Sequence, residues 1–452
     1  MEPTILQRSD HCVSRNNISK NALTVLYRLN DAGFKGYLAG GCVRDLLLGK
    51  QPKDFDVVTD ATPNEIKRCF RNCRLIGRRF RLAHVMFRDE IIEVATFRAP
   101  TSGSLMPEDS VDEEDGEEEE TPEKPENTRR DVIINEDGVV IRDNEYGTPE
   151  EDAFRRDFTV NALFYDISDF SILDYVGGLM DLKKRVIHCI GDPDVRYQED
   201  PVRMIRAIRF AASLDLQIED NTYQAILRQK EQMFHASHAR MYEEILKFFY
   251  SGSMESAFTK WVETGLVDMM FPGFADWYRS QASPSEKQWH TMALQQLDKW
   301  KSHGIKASQE LAYSLFLTPY IRAVRDELAT ANENLSPRNA CMEAVQQIQH
   351  VLAARILIPK RIAFRIFDLV SSQDRFPDRR NEQRIVRFLH RSYFRDALVL
   401  FKFDALATGN PQTELIKAWT DDLKQAPPPS EQRERPHKPR RRRRRRPPQS
   451  RS

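Results

Sequence analysis

Between Gly40 and Val57 the chain reads GGCVRDLLLGKQPKDFDV: a glycine pair, a short apolar helix pattern, and two aspartates separated by one phenylalanine. That order constrains the local fold more than any other stretch. GYLAGG, residues 36–41, predicts a strand running into a turn, and Gly40 and Gly41 lead into a helix over VRDLLLG that Gly49 closes. DFDVVTD predicts the next strand, whose alternation puts Asp54 and Asp56 on one face and Phe55 and Val57 on the other. Glycines at a helix start let backbone amides approach a triphosphate, and paired carboxylates hold hard divalent ions. Neither feature is specific alone, since Asp-x-Asp occurs in exposed strands and a glycine pair is often only a turn. Their order, with Arg44 and Asp45 on the helix between, points to metal-dependent nucleotidyl transfer. The chain has no GxGxxG and no GxxxxGK[ST], which removes the dinucleotide fold and the P-loop.

The following residues supply more carboxylates. Thr62-Pro63-Asn64-Glu65 is a capping box, with Ile66, Cys69, Phe70 and Cys73 as the expected inner stripe of its helix. LAHVMF and IIEVATF flank Arg88, Asp89 and Glu90 and predict a hairpin. Glu93 lies in that second, otherwise apolar strand, a position that calls for a reason. VIINEDGVVIRD predicts another hairpin, and Thr148-Pro-Glu-Glu151 a second capping box before RRDFT, where Asp157 is a further candidate for the carboxylate face.

Bulk numbers bound the rest. A chain of 452 residues, 40% hydrophobic and 30% charged, favours about three soluble domains. It has no apolar run near the roughly 20 residues of a membrane span, no apolar core of a secretory signal at its start, and six cysteines without a CxxC pair. Reduced thiols and a cytoplasmic setting are expected. The formal charge of zero hides segregation: EDSVDEEDGEEEE at 108–120 opposes seven consecutive arginines at 440–446. The expected fold is α+β: a small mixed-sheet head over 21–178 with an acidic loop insert at 101–131, then all-α segments over 179–255 and 256–425. The Arg/Pro-rich tail, 426–452, cannot build a core and is expected to be disordered. Helices are expected at 201–214, 221–249, 255–266, 285–302, 308–330, 336–357, 360–372, 381–391 and 393–405.

GGCVRDLLLG, KDFDV, IEVATFR, RRDFTVNAL, YVGGLMDL and YQEDPVRMIRAIRFAA, in that order, resemble the bacterial class II nucleotidyltransferases, the family of poly(A) polymerases and CCA-adding enzymes. The resemblance implies that Asp54 and Asp56 bind two Mg2+ ions, for which Mn2+ can substitute. Asp157 and Glu93 compete as the third carboxylate. Gly40, Gly41, Arg44 and Asp45 would then face the triphosphate, with Arg156 and Arg206 near it or the base. Cys42 departs from the small residue common in relatives and narrows that space. Read alone, Asp200 before Pro201 is an N-cap, and Arg203, Arg206 and Arg209 are one solvated helix face. The resemblance makes Glu199, Asp200 and Arg203 readers of the incoming base, an arginine donating to adenine N1 and a carboxylate accepting from N6.

Arg78, Arg79, Phe80 and Arg81, in a stretch that resembles the poly(A)-adding members, form a cationic and aromatic patch suited to RNA, unless Phe80 is simply core. Arg384, Arg387, Arg391 and Arg395, interrupted by Phe388 and Phe394, and the tail arginines promise sequence-independent phosphate binding. The implied activity is template-independent transfer of AMP from ATP to RNA 3′ ends, in RNA processing or decay. CCA addition and an inactive RNA-binding adaptor are the alternatives. The tail could also bind RNA-decay or RNA-chaperone proteins.

Overall fold

The computed structural model describes residues 2–77, 81–99, 130–134 and 140–425, the strands at 130–134 and 140–145 by their backbone alone. The head's strands are β1 (Thr4–Leu6), β2 (Gly36–Ala39), β3 (Val57–Thr59), β4 (Cys73–Ile76), β5 (Leu82–Met86), β6 (Ile91–Thr96), β7 (Arg130–Ile134), β8 (Val140–Glu145), β9 (Leu163–Asp166) and β10 (Ile172–Asp174). Eight of them form one sheet in the order β1-β10-β9-β2-β3-β6-β5-β4, while β7 and β8 make a separate hairpin. Within that sheet β3 and β6 run parallel, Val57 opposite Val94, and the other neighbours are antiparallel.

The central strand β2, GYLA, is buried along its length because both sheet faces are covered. On one face lies α1 (Lys20–Asp31), started by Ser19 accepting from the Asn21 and Ala22 amides, with Ala22, Val25, Leu26 and Leu29 turned inward. The other face carries a smaller cluster of Tyr37, Val58, Phe97 and Phe164. Next come α2 (Gly41–Leu47), α3 (Pro63–Cys69), α4 (Pro149–Arg155) and α5 (Gly178–Lys184), and both expected capping boxes form, at α3 and α4. The α3 stripe is shorter than expected: the helix stops at Cys69, and Cys73 opens β4, where it pairs with Val85.

From Pro193 onward the described chain is helical but for β12. In order come α6 (Pro193–Glu199), α7 (Val202–Leu214), α8 (Asp220–Gln229), α9 (His238–Phe249), α10 (Met254–Thr264), α11 (Leu266–Met270), α12 (Pro272–Ser280), α13 (Pro284–Ser302), α14 (Gln309–Ala331), α15 (Pro337–Ala353), α16 (Lys360–Ser371), α17 (Glu382–Leu389), α18 (Phe394–Ala407) and α19 (Thr413–Gln425). Short strands β11 (Val186–Ile187) and β12 (Gln217–Ile218) pair where head meets helices. The single helix expected over 221–249 is broken by a 3-10 turn at Lys230–His235, because Met233 and Ala236 are buried there and Ala236 is extended. Three short helices, α6, α11 and α12, and the terminal α19 were not expected. No helix among the described residues is long and apolar enough to cross a membrane.

Candidate active site

Gly40 needs its lack of a side chain. Its φ of +74° suits glycine, and a Cβ there would meet Arg156 Nη1 at 2.8 Å. The turn hands the Gly40 amide to the Leu163 carbonyl while the Gly40 carbonyl accepts from Arg44. This same turn explains a departure from the sequence expectation. Asp54 and Asp56 do not lie within a strand: β3 begins at Val57, since β2 has ended at Ala39 and turned away, leaving one further bond, from the Ala39 amide to the Asp56 carbonyl. The two aspartates occupy the open approach to β3.

Glu93 stands beside Asp56. The parallel register puts Val57 next to Val94, both buried, so the preceding Asp56 and Glu93 share the opposite, open face. Glu93 is 52% exposed, with His84 Nε2 3.7 Å away, and Asp54 is paired only with Lys53 at 3.0 Å in the described structure. Crowding pushes the Asp56 carboxyl up to about 6: burial among neighbours contributes most, then the Glu93 charge, with Asp54 adding and Arg156 opposing. Among the described residues no three or more His, Cys, Asp or Glu stand together as a group that could hold a metal ion. The open pair Asp54 and Asp56 suits magnesium, which takes few protein oxygens and fills its shell with water and phosphate.

Asp157 belongs to a different network. Its side chain is only 10% exposed, and Oδ1 accepts from the Phe158 amide and Asn161 Nδ2, while Oδ2 accepts from Arg206 Nε at 2.8 Å. Burial alone would raise its carboxyl, but Arg206, Asn161 and the Phe158 amide outweigh it and hold the group at about 2. Asn161 in turn accepts from Arg44, which also pairs with Asp45 at 2.7 Å. Arg156 binds Asp152 and the Asn161 carbonyl from beneath the Gly40 turn. The Cys42 thiol donates to the Ala39 carbonyl at 3.3 Å, and burial pushes it to about 12, so it packs as a neutral group.

The expected base readers lie at the α6–α7 junction. Asp200 does cap α7 through the Val202 amide, and its other oxygen accepts from Arg240 of α9 at 2.7 Å. Arg203 donates to Glu199 at 3.0 Å and to the Arg196 carbonyl, and Arg196 donates to Glu199 and to the carbonyls of Arg155 and Arg156. Arg206 and Arg209 are not a solvated face. Both reach Glu244 of α9, at 3.1 and 2.9 Å. Glu244 is 3% exposed; burial would raise its carboxyl, but Arg209, Arg206 and Lys247 hold it at about 2.

Of the proposed RNA contacts, Arg78, Arg79 and Phe80 fall outside the described residues, as does the arginine tail, and Arg81 is half-buried ahead of β5. Arg384, Arg387 and Arg391 are exposed, whereas Phe388 and Phe394 pack with Phe376 and Trp419 as core. Those two rings stack on protein and are not part of the basic surface.

Three family models match the chain: the poly A polymerase head domain over 36–188, a "probable RNA and SrmB- binding site of polymerase A" over 215–278, and the polymerase A arginine-rich C-terminus over 333–451. The chain is 37% identical over 428 residues to poly(A) polymerase I of Salmonella typhi, covering 95% of this chain and 87% of that one. With the Escherichia coli enzyme it shares 36% over 429 residues. The chain belongs to the bacterial poly(A) polymerase I family. It is therefore a nucleotidyltransferase. A CCA-adding enzyme from Bacillus velezensis is 30% identical over 264 residues, 58% of either chain. Solved CCA-adding enzymes share the fold of this poly(A) polymerase I family member: an apo form at a TM-score of 0.59 and 19% identity, covering 94% of this chain and 88% of that one, and the Bacillus stearothermophilus enzyme with CTP at 0.56 and 23%, covering 90% and 81%. Glu244 escaped the sequence reading although a signal existed, a carboxylate on the apolar stripe Met241, Ile245 and Phe248.

Proposed function

We propose that this enzyme adds AMP from ATP to RNA 3′ ends without a template, in the cytoplasm and in the service of RNA processing or decay. The observation that carries this reading is the placing of Asp54 and Asp56 at the open approach to β3, with Glu93 on the same face and the Gly40 turn beside them. Such a donor set suits two magnesium ions, or manganese in their place, which when bound neutralise phosphate charge and lower the pKa of the attacking 3′-hydroxyl.

The chain's own groups orient the reactants. Gly40 and Gly41 offer close backbone approach to the triphosphate, and Arg44, fixed by Asn161 and Asp45, brings a positive charge to it. Arg156 lies near enough to lower the Asp56 carboxyl and serves the same phosphates. Asp157, with its oxygens taken by protein donors, is a positioning residue that fixes Arg206 and Asn161. Arg203 donates to adenine N1 and Asp200 accepts from the N6 amine, Arg240 and Glu199 fixing their geometry. Arg384, Arg387, Arg391 and the tail arginines give a sequence-independent hold on RNA, and the tail is also suited to acidic surfaces of RNA-decay or RNA-chaperone proteins.

Poly(A) addition is favoured over CCA addition because the relatives of the former name align over 92–95% of the chain, and the Bacillus velezensis CCA-adding relative over 58%. The test is to incubate protein, magnesium and a short unstructured RNA with each nucleoside triphosphate separately, beside an Asp54→Ala/Asp56→Ala control. A long ladder with ATP alone, absent in the control, is expected. Short additions that need CTP and a tRNA-like end would make it a CCA-adding enzyme. No product with any nucleotide, together with tight RNA binding, would leave an adaptor.

A further inference from the structure

Between α15 and α16 lies a cavity of about 410 Å³, well within the range of small-molecule pockets. Its apolar lining includes Val345, Ala363 and Phe367, and its polar lining is Gln346, Gln349, His350 and Lys360, with no carboxylate among the lining residues. Phe364, also on the lining, is 59% exposed, so a large ring faces solvent over a ready-made hollow. Amides and an imidazole can both donate and accept toward a base edge.

The charges at this groove are placed against the helix they stand on. The first turn of α16 holds Lys360 and Arg361, both exposed, has no acidic residue, and lacks a side-chain cap. Cations at a helix N-terminus oppose the macrodipole, so they do not serve the stability of α16 and are well placed for an external anion. The Arg361 charge reaches Tyr242 of α9, the helix that also supplies Arg240 and Glu244 to the base-reading region. Nearby in sequence, Arg355 lies 4.0 Å over the ring of Phe234, itself 42% exposed, a second cation and aromatic pairing of the same kind.

We propose that this groove takes a nucleobase of single-stranded RNA upstream of the 3′ end, stacked on Phe364, with Lys360 and Arg361 on the flanking phosphates. The inference rests on the RNA-extending reading above and adds a subsite to it. A planar base fits the open ring, the mixed amide lining and the absence of carboxylates.

The test uses the full chain and a labelled oligo(A) of about 20 nucleotides, long enough for a site of this kind. Phe364→Leu keeps apolar bulk and removes the ring; it is expected to weaken binding roughly 5- to 100-fold, equally at low and high salt. Phe364→Trp is expected to restore binding, and Lys360→Ala to reduce the salt slope by about 0.7. Addition of AMP to a primer too short to reach the groove stays at the parent rate, and the unfolding midpoint of each variant reports folding. RNA carrying 4-thiouridine, irradiated with the unaltered protein, is expected to crosslink within residues 342–367. Unchanged affinity in Phe364→Leu, or crosslinks confined to other segments, overturns the proposal. A parent protein that binds no oligo(A) overturns the RNA reading itself.

Discussion

Removing the Glu244 charge is the most informative perturbation of the helical region, because three cations converge on one buried carboxylate. Arg206, Arg209 and Lys247 lie within 3.1 Å of it, and its side chain is 4% exposed. Its carboxyl falls from an ordinary 4.5 to about 2, which corresponds to about 3 kcal/mol of stability in favour of the charged form. The sign is that of a depressed acid: the contribution is complete above the unfolded value and disappears as pH falls through the folded one. Glu244→Gln keeps the shape and should therefore lose about 3 kcal/mol at pH 7 but only about 1 kcal/mol at pH 3. Glu244→Ala also opens a hole and leaves Arg209 without its carboxylate, a loss of about 3–5 kcal/mol. Urea unfolding of parent and variants across that pH range measures both. A difference between parent and Glu244→Gln that stays constant from pH 7 to pH 3 would refute the electrostatic account and leave only a packing effect.

Gly40→Ala should strain the backbone by about 1–3 kcal/mol and drive its Cβ onto Arg156; a raised KM for ATP in steady-state kinetics, with the unfolding midpoint only slightly lowered, is the expected result. Glu93→Gln and Asp157→Asn separate the two candidates for third carboxylate. Glu93→Gln should shift the magnesium optimum upward without loss of stability. Asp157→Asn should lower stability by about 2 kcal/mol and leave the magnesium optimum in place, as titrated by primer extension.

Much of the head was legible because its signals are local. The capping boxes at Thr62 and Thr148, the hairpin of β5 and β6, and the glycine pair each depend on residues within a few positions. What was missed depends on distant partners. The strand containing Asp54 and Asp56 fell short because the Gly40 turn removed the neighbour it needed. The edge strand β1 exists only through pairing with β10, Thr4 opposite Asp174, and nothing in TIL announces it. Phe388 and Phe394 looked like part of a basic face until Trp419, on a helix the periodicity did not reveal, covered them. Arg206 and Arg209 looked solvated because Glu244 comes from α9.

The contacts between the head and α6 carry one more consequence for base choice. If transfer is template-free, as proposed above, the distance between base and triphosphate must come from protein. Arg196 is placed to do this: its guanidinium donates to the Arg155 and Arg156 carbonyls of the head at 2.6 and 2.7 Å, and its own carbonyl accepts from Arg203 at 2.8 Å. The arginine proposed to read adenine is thus tied, through one residue, to the arginine proposed to meet the phosphates. Loss of that tie shifts the reader relative to the reacting atoms without removing either, and discrimination depends on such geometry more steeply than binding does. Arg196→Ala should therefore lower the ratio of kcat/KM for ATP over GTP by more than it lowers turnover with saturating ATP. An equal fall in both would mean that the tie supports folding alone and that selection rests on Asp200 and Arg203 independently of the head.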